Sequence, residues 1–119
     1  MDEPSMEFNN IAYFQFDNLL QSRVPMVLVL LDEVPLKDWY NSIVRMHIDN
    51  IAIKETPQTA VQAVKDKNLP SHFAVVVLDL DETKSPAVVR ELEKLGLLNA
   101  YFVKGGFNGI LAERTSPNR

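Results

Sequence analysis

Val75-Val76-Val77-Leu78-Asp79-Leu80-Asp81-Glu82-Thr83-Lys84-Ser85-Pro86 is the stretch on which the fold turns. Four consecutive apolar residues, three of them β-branched, form the end of a strand buried on both faces. A carboxylate-rich loop follows. Ser85-Pro86 then reads as a helix start, because proline at a first helical position sacrifices no hydrogen bond. Strand, loop and helix in that order make the corner at which open α/β sheets place their chemistry.

Elements of both kinds alternate on either side of this corner. Met26 to Leu31 is a second continuously apolar run, which predicts another central strand, with Ala100 to Val103 a third. Shorter strands are expected at Ile11–Phe14 and near Ile51–Ile53. Phe16, Leu19 and Leu20 repeat at helical spacing, and Arg23 and Pro25 mark that helix's end. Leu36, Trp39, Tyr40, Ile43 and Val44 predict one helix beginning near Pro35. Thr56-Pro57 opens a helix with Ala60, Val61 and Val64 inward. Val88, Leu92 and Leu95 line the helix after Ser85, which Gly96 ends. Gly105-Gly106 predicts a tight turn, with a last helix over Phe107–Glu113. Such alternation with short connections predicts an α/β domain, with a central, mainly parallel five-stranded sheet and helices on both faces. The expected division is a tail over 1–10, the domain over 11–113 and a second tail over 114–119.

The chain's 119 residues suffice for one such core, and 46% of them are hydrophobic. Its net charge is −4, which argues against nucleic acid and anionic membrane as partners. The longest apolar run, Pro25 to Leu31, is too short to span a bilayer. Met1-Asp2-Glu3-Pro4-Ser5 is acidic where a secretory signal would be basic. No cysteine is present, so disulfides, thiolate chemistry and cysteine-ligated metals are excluded. A cytoplasmic location is the expectation.

Asp79-Leu80-Asp81-Glu82-Thr83 resembles the D-x-D-x-T motif of haloacid dehalogenase-like phosphatases. That resemblance implies an Asp79 nucleophile, an Asp81 general acid/base and Mg²⁺ held by both. In that family the motif opens the domain and the other catalytic parts follow it. Here Asp79 lies about two thirds of the way along the chain, and no aspartate follows Asp81. Lys104 and Ser116 are present, but a further acidic metal pair is not.

The C-terminal half resembles the rhodanese-like domain. There an apolar strand leads into a six-residue Cys-Arg-x-Gly-x-Arg-type loop, then a helix, a strand and a Gly-Gly turn. Asp79, Leu80, Asp81, Glu82, Thr83 and Lys84 stand in the loop, and Gly105-Gly106 in the turn. The N-terminal half is similar more loosely, through the strand ending at Asp32 and the His47-Ile48 pair. Asp79 occupies the position of the family's cysteine. A carboxylate cannot carry sulfane sulfur, so the resemblance implies an inactive sulfurtransferase homologue without a cofactor, working as a regulatory or protein-binding module. Family loops aim backbone N–H groups at an anion, and carboxylates in this loop could satisfy those groups themselves, closing it.

Plainer readings stand beside these. Asp79, Asp81 and Glu82 read first as a solvated loop that compensates a helix dipole. Ser85 and Thr56 read as helix caps, Trp39 and Tyr40 as core or rim packing. His47, placed at a helix end, and His72 lack a partner at metal-ligand spacing.

Overall fold

The computed structural model describes residues 9–115. Five strands, β1 (Asn10–Ile11), β2 (Val27–Leu30), β3 (Ala52–Lys54), β4 (Val75–Leu78) and β5 (Ala100–Val103), form one sheet in the order β1-β5-β4-β2-β3. Every pairing is parallel, with Leu28 opposite Val76 and Val77 opposite Phe102 at the centre. The helices are α1 (Tyr13–Gln21), α2 (Ser42–Ile51), α3 (Pro57–Lys65), α4 (Ser85–Lys94) and α5 (Gly106–Thr115).

Both apolar runs are central strands, and all their residues are buried. Successive side chains along a strand point to opposite faces, so each run feeds two cores. Leu28, Leu30, Val76 and Leu78 pack against Phe16, Leu20, Val44, Ile48 and Ile110 of α1, α2 and α5. Val27, Val29, Val75 and Val77 pack against Ala60, Val64, Val88 and Leu92 of α3 and α4. The chain leaves β2 toward one layer of helices and β4 toward the other. The crevice between their C-terminal ends is therefore the sheet's topological switch point.

Several expectations need correction. The helix predicted from Leu36 is two elements. A single 3-10 turn spans Leu36–Trp39, the chain extends at Tyr40, and α2 begins at Ser42. Asn41 forces the restart, because its side-chain oxygen accepts the Val44 N–H at 3.0 Å as an N-cap. Ile43 is exposed as a result, and His47 lies within α2, its Nε2 3.1 Å from the Val24 carbonyl oxygen. The first strand covers Asn10–Ile11 rather than Ile11–Phe14, since α1 starts at Tyr13. Asn10 thus belongs to the sheet and not to a tail, and Arg114 belongs to α5. Asn9 directly precedes β1 and Thr115 ends α5, and the rest of both expected tails, 1–8 and 116–119, lies outside the described residues. Leu95 is exposed and Val89 takes its place in the core.

Candidate functional site

The loop after β4 closes on its own first residue. Asp79 is fully buried, and its two carboxylate oxygens accept four hydrogen bonds. Oδ1 takes the Glu82 N–H at 2.9 Å and the Ser85 hydroxyl at 3.1 Å. Oδ2 takes the Lys84 and Ser85 N–H groups, both at 2.8 Å. Three of these donors are backbone amides converging at the N-terminus of α4, where orphan N–H groups and the helix dipole favour an anion. The anion they hold is the chain's own. Ser85 is therefore not the N-cap that the parallel with Thr56-Pro57 predicts. At α3, Thr56 accepts the Thr59 N–H at 3.2 Å, whereas at α4 Asp79 performs that service from six residues upstream.

Flanking contacts hold the loop on three sides. The Asp32 carboxylate, just beyond β2, accepts the Leu80 N–H at 2.9 Å and the Lys84 ammonium at 2.5 Å. The hydrogen bond from Lys84 holds the Asp32 carboxyl below its ordinary range, and the same bond raises the Lys84 ammonium. Glu82 adopts a left-handed φ of +69° and turns its side chain back, where Oε1 accepts the Gly105 N–H at 2.6 Å. Asp79 and Leu80 present their carbonyls to the Phe107 and Asn108 N–H groups, each at 2.8 Å. Gly106 lets this happen: a Cβ there would lie 2.7 Å from the Asp79 carbonyl oxygen. Asp81 is exposed and accepts the Thr83 hydroxyl at 2.6 Å and its N–H at 3.2 Å; the first of these leads in lowering its carboxyl.

The structure thus brings Asp79, Leu80, Asp81, Glu82, Thr83 and Lys84 together as one loop, but gives them different roles. Asp79 is not the solvated carboxylate of the plainer reading, while Asp81 is. The phosphatase reading finds no support in this arrangement. The carboxylate it would use as a nucleophile is buried and saturated with donors, and Asp81 faces solvent. Among the described residues no three His, Asp or Glu side chains gather as a metal site. A cleft of about 440 Å³ opens between Asp32, Glu33, Lys54, Glu55 and Thr56. Another of about 630 Å³ lies between Tyr13, Phe14, Lys104, Gly105 and Gly109. Neither takes in any residue from Asp79 to Lys84.

Strand, six-residue loop, helix, strand and Gly-Gly turn all stand where the sulfurtransferase resemblance places them, on a five-stranded parallel sheet. Solved structures share the architecture. A rhodanese-like domain from Anabaena sp., determined in solution, superposes with a TM-score of 0.63 at 15% identity, covering 88% of this chain and 74% of that one. A rhodanese-like domain protein from Staphylococcus aureus gives 0.60 at 17% identity, covering 86% and 90%. The thiosulfate sulfurtransferase from Pseudomonas aeruginosa gives 0.58 at 16%, with 87% of this chain matched to 18% of the larger protein. The chain has the rhodanese-like fold. No family model and no curated protein matches its sequence. Asp79 is the residue that follows β4 in this rhodanese-like fold, and the chain contains no cysteine.

Two features of the rhodanese-like loop were not foreseen. Asp32 stood out only as a strand end, although it anchors both Leu80 and Lys84 from about fifty residues away. A further cluster joins the loop through Phe107. The Trp39 ring stacks on Phe107 at 5.2 Å between centroids, and the Arg114 guanidinium lies 4.5 Å from the Trp39 centroid. Tyr40 donates to the Asp17 carboxylate at 2.7 Å; burial first, then this bond, raises its phenol well above the usual range. Trp39 and Tyr40 do pack at the core and rim, as expected.

Proposed function

We propose that this chain is a non-catalytic rhodanese-like module whose role is protein binding or regulation in the cytoplasm. The observation that carries the reading is the Asp79 carboxylate, which fills the anion cradle of the loop where a sulfurtransferase needs an open cradle and a thiolate. Sulfur transfer requires a nucleophile that takes sulfane sulfur from thiosulfate and releases sulfite. Asp79 offers only oxygen, and its lone pairs are engaged. A protein partner is favoured over nucleic acid by the net charge of −4. No helix among the described residues is long and apolar enough to cross a membrane. The test is a thiosulfate:cyanide sulfurtransferase assay on the whole chain. Thiocyanate formation at the background rate is expected, and turnover that scales with protein concentration would overturn the proposal.

A further inference from the structure

Three aromatic rings enclose the guanidinium of Arg114. Its carbon lies 4.5 Å from the ring centroid of Trp39 and 5.9 Å from those of Tyr13 and Tyr40, and Nη1 donates to the Tyr13 hydroxyl at 2.7 Å. The faces of such rings carry negative charge density and attract a delocalised, weakly hydrated cation. Arg114 makes no ion pair with a carboxylate among the described residues, so the rings are its principal partners.

Two of the three walls stand without Arg114. Trp39 is held by its stack on Phe107, with 10° between the ring planes. Tyr40 is buried and tied through its hydroxyl to Asp17. A box held open by its own contacts loses little order when a cation enters, which favours binding. Arg114 projects from the last turn of α5, beside exposed Leu111, Ala112 and Glu113, and is itself only half buried.

We propose that Tyr13, Trp39 and Tyr40 form a guanidinium-binding cage, filled in cis by Arg114, which an arginine side chain of a partner protein enters in its place. Charge favours that partner: the chain carries −4, and Asp17 adds a carboxylate behind the Tyr40 wall. Arginine suits the site better than lysine, because a planar guanidinium stacks on rings while an ammonium is a compact, strongly hydrated charge. A tethered Arg114 competes at an effective concentration on the order of millimolar, so a partner must add contacts outside the cage.

Trp39 is the chain's one tryptophan, and its fluorescence therefore reports on the cage directly. Whole-chain Arg114→Gln, shown to be folded by circular dichroism, is titrated with N-acetyl-arginine amide and with its neutral citrulline isostere. A saturable change is expected with the arginine compound, at least tenfold weaker with citrulline, and lost in Arg114→Gln/Tyr13→Ala. Wild type is expected to respond to a hexa-arginine peptide, with a midpoint at least tenfold above that of Arg114→Gln, and Tyr13→Ala to lose that response. No saturable change in Arg114→Gln, equal response to citrulline, or a wild type silent to hexa-arginine overturns the proposal. Should Arg114→Gln fail to fold, the comparison of wild type with Tyr13→Ala decides the question alone.

Discussion

The carboxylate of Asp79 accepts both the Ser85 amide, at 2.8 Å, and the Ser85 hydroxyl, at 3.1 Å, so that a residue ending a strand caps the helix six positions later. Capping residues ordinarily sit at the helix boundary. Here the cap comes from the residue just beyond β4, and the loop between is drawn in over it.

Replacing Asp79 tests this construction. Asp79→Ala strands the Glu82, Lys84 and Ser85 N–H groups and the Ser85 hydroxyl in a buried site. Hydrogen bonds to a charged acceptor contribute about 1.5–3 kcal/mol each, and losses in one network do not add fully. A stability loss of about 3–5 kcal/mol in urea unfolding is expected. Asp79→Asn keeps the shape but turns an NH₂ toward N–H donors, and is expected to lose at least about 2 kcal/mol. An Asn variant as stable as wild type would show that shape, not acceptance, matters there.

Much of the frame is legible in the sequence. Val27–Leu30 and Val75–Leu78 are apolar because both faces of each strand are covered, and that pattern is local. The closing of the loop by its own carboxylates is also legible, through the resemblance: loops of that family aim N–H groups at an anion, and this loop carries carboxylates of its own. What escaped is non-local or a competition between local signals. Asn41 ended one apparent helix and began another, although the apolar spacing ran through it. Ser85-Pro86 resembles Thr56-Pro57, and only the fold shows that the residue just after β4 supplies the cap. Asp32 with Lys84 and Arg114 with Tyr13 are pairs about 50 and 100 residues apart, and no periodicity announces such meetings.

The Asp32–Lys84 pair makes a pH prediction. Asp32 has its pKa lowered in the folded state from an ordinary 3.8, so its contribution is full above that value and is lost as pH falls through the folded pKa. Lys84 has its pKa raised from an ordinary 10.5, so its contribution is full below that value and is lost as pH rises through the folded pKa. Asp32→Asn is therefore expected to be less stable than wild type by about 1 kcal/mol at neutral pH, since solvent reaches the half-exposed Lys84 ammonium and screens the pair. That gap narrows below pH 3.8 and again above pH 10.5. Urea unfolding of both proteins across this range measures it, and a gap independent of pH would refute the role given to the pair.

Gly106 and Gly96 offer a controlled comparison. Both have positive φ, +63° and +95°, so alanine is strained at either. At Gly96 an added Cβ meets nothing within 4 Å; at Gly106 it meets Asp79, Leu80 and Asp81 backbone atoms at 2.7–2.8 Å. Gly96→Ala is expected to cost about 1–2 kcal/mol from strain alone. Gly106→Ala adds an overpacking term, for a total of about 3 kcal/mol or more. It should also weaken the Phe107 and Asn108 hydrogen bonds to the loop. Hydrogen exchange at those two amides is expected to quicken in Gly106→Ala and stay unchanged in Gly96→Ala.

Asp79→Cys asks whether the cradle would serve a thiolate. The amides of Glu82, Lys84 and Ser85 already converge on this side chain, and such donors at a helix N-terminus stabilise negative charge on sulfur. Since the chain has no other cysteine, thiolate absorbance near 240 nm would report on this single group. An apparent pKa at least about one unit below the ordinary thiol value of about 8.5 is expected. A value at or above 8.5 would mean that the cradle relaxes once the carboxylate is removed, so that Asp79 organises the loop rather than occupying a site the backbone builds without it. A low value would assign the construction to the backbone, and would leave the missing sulfur atom as what separates this loop from one that can form a persulfide.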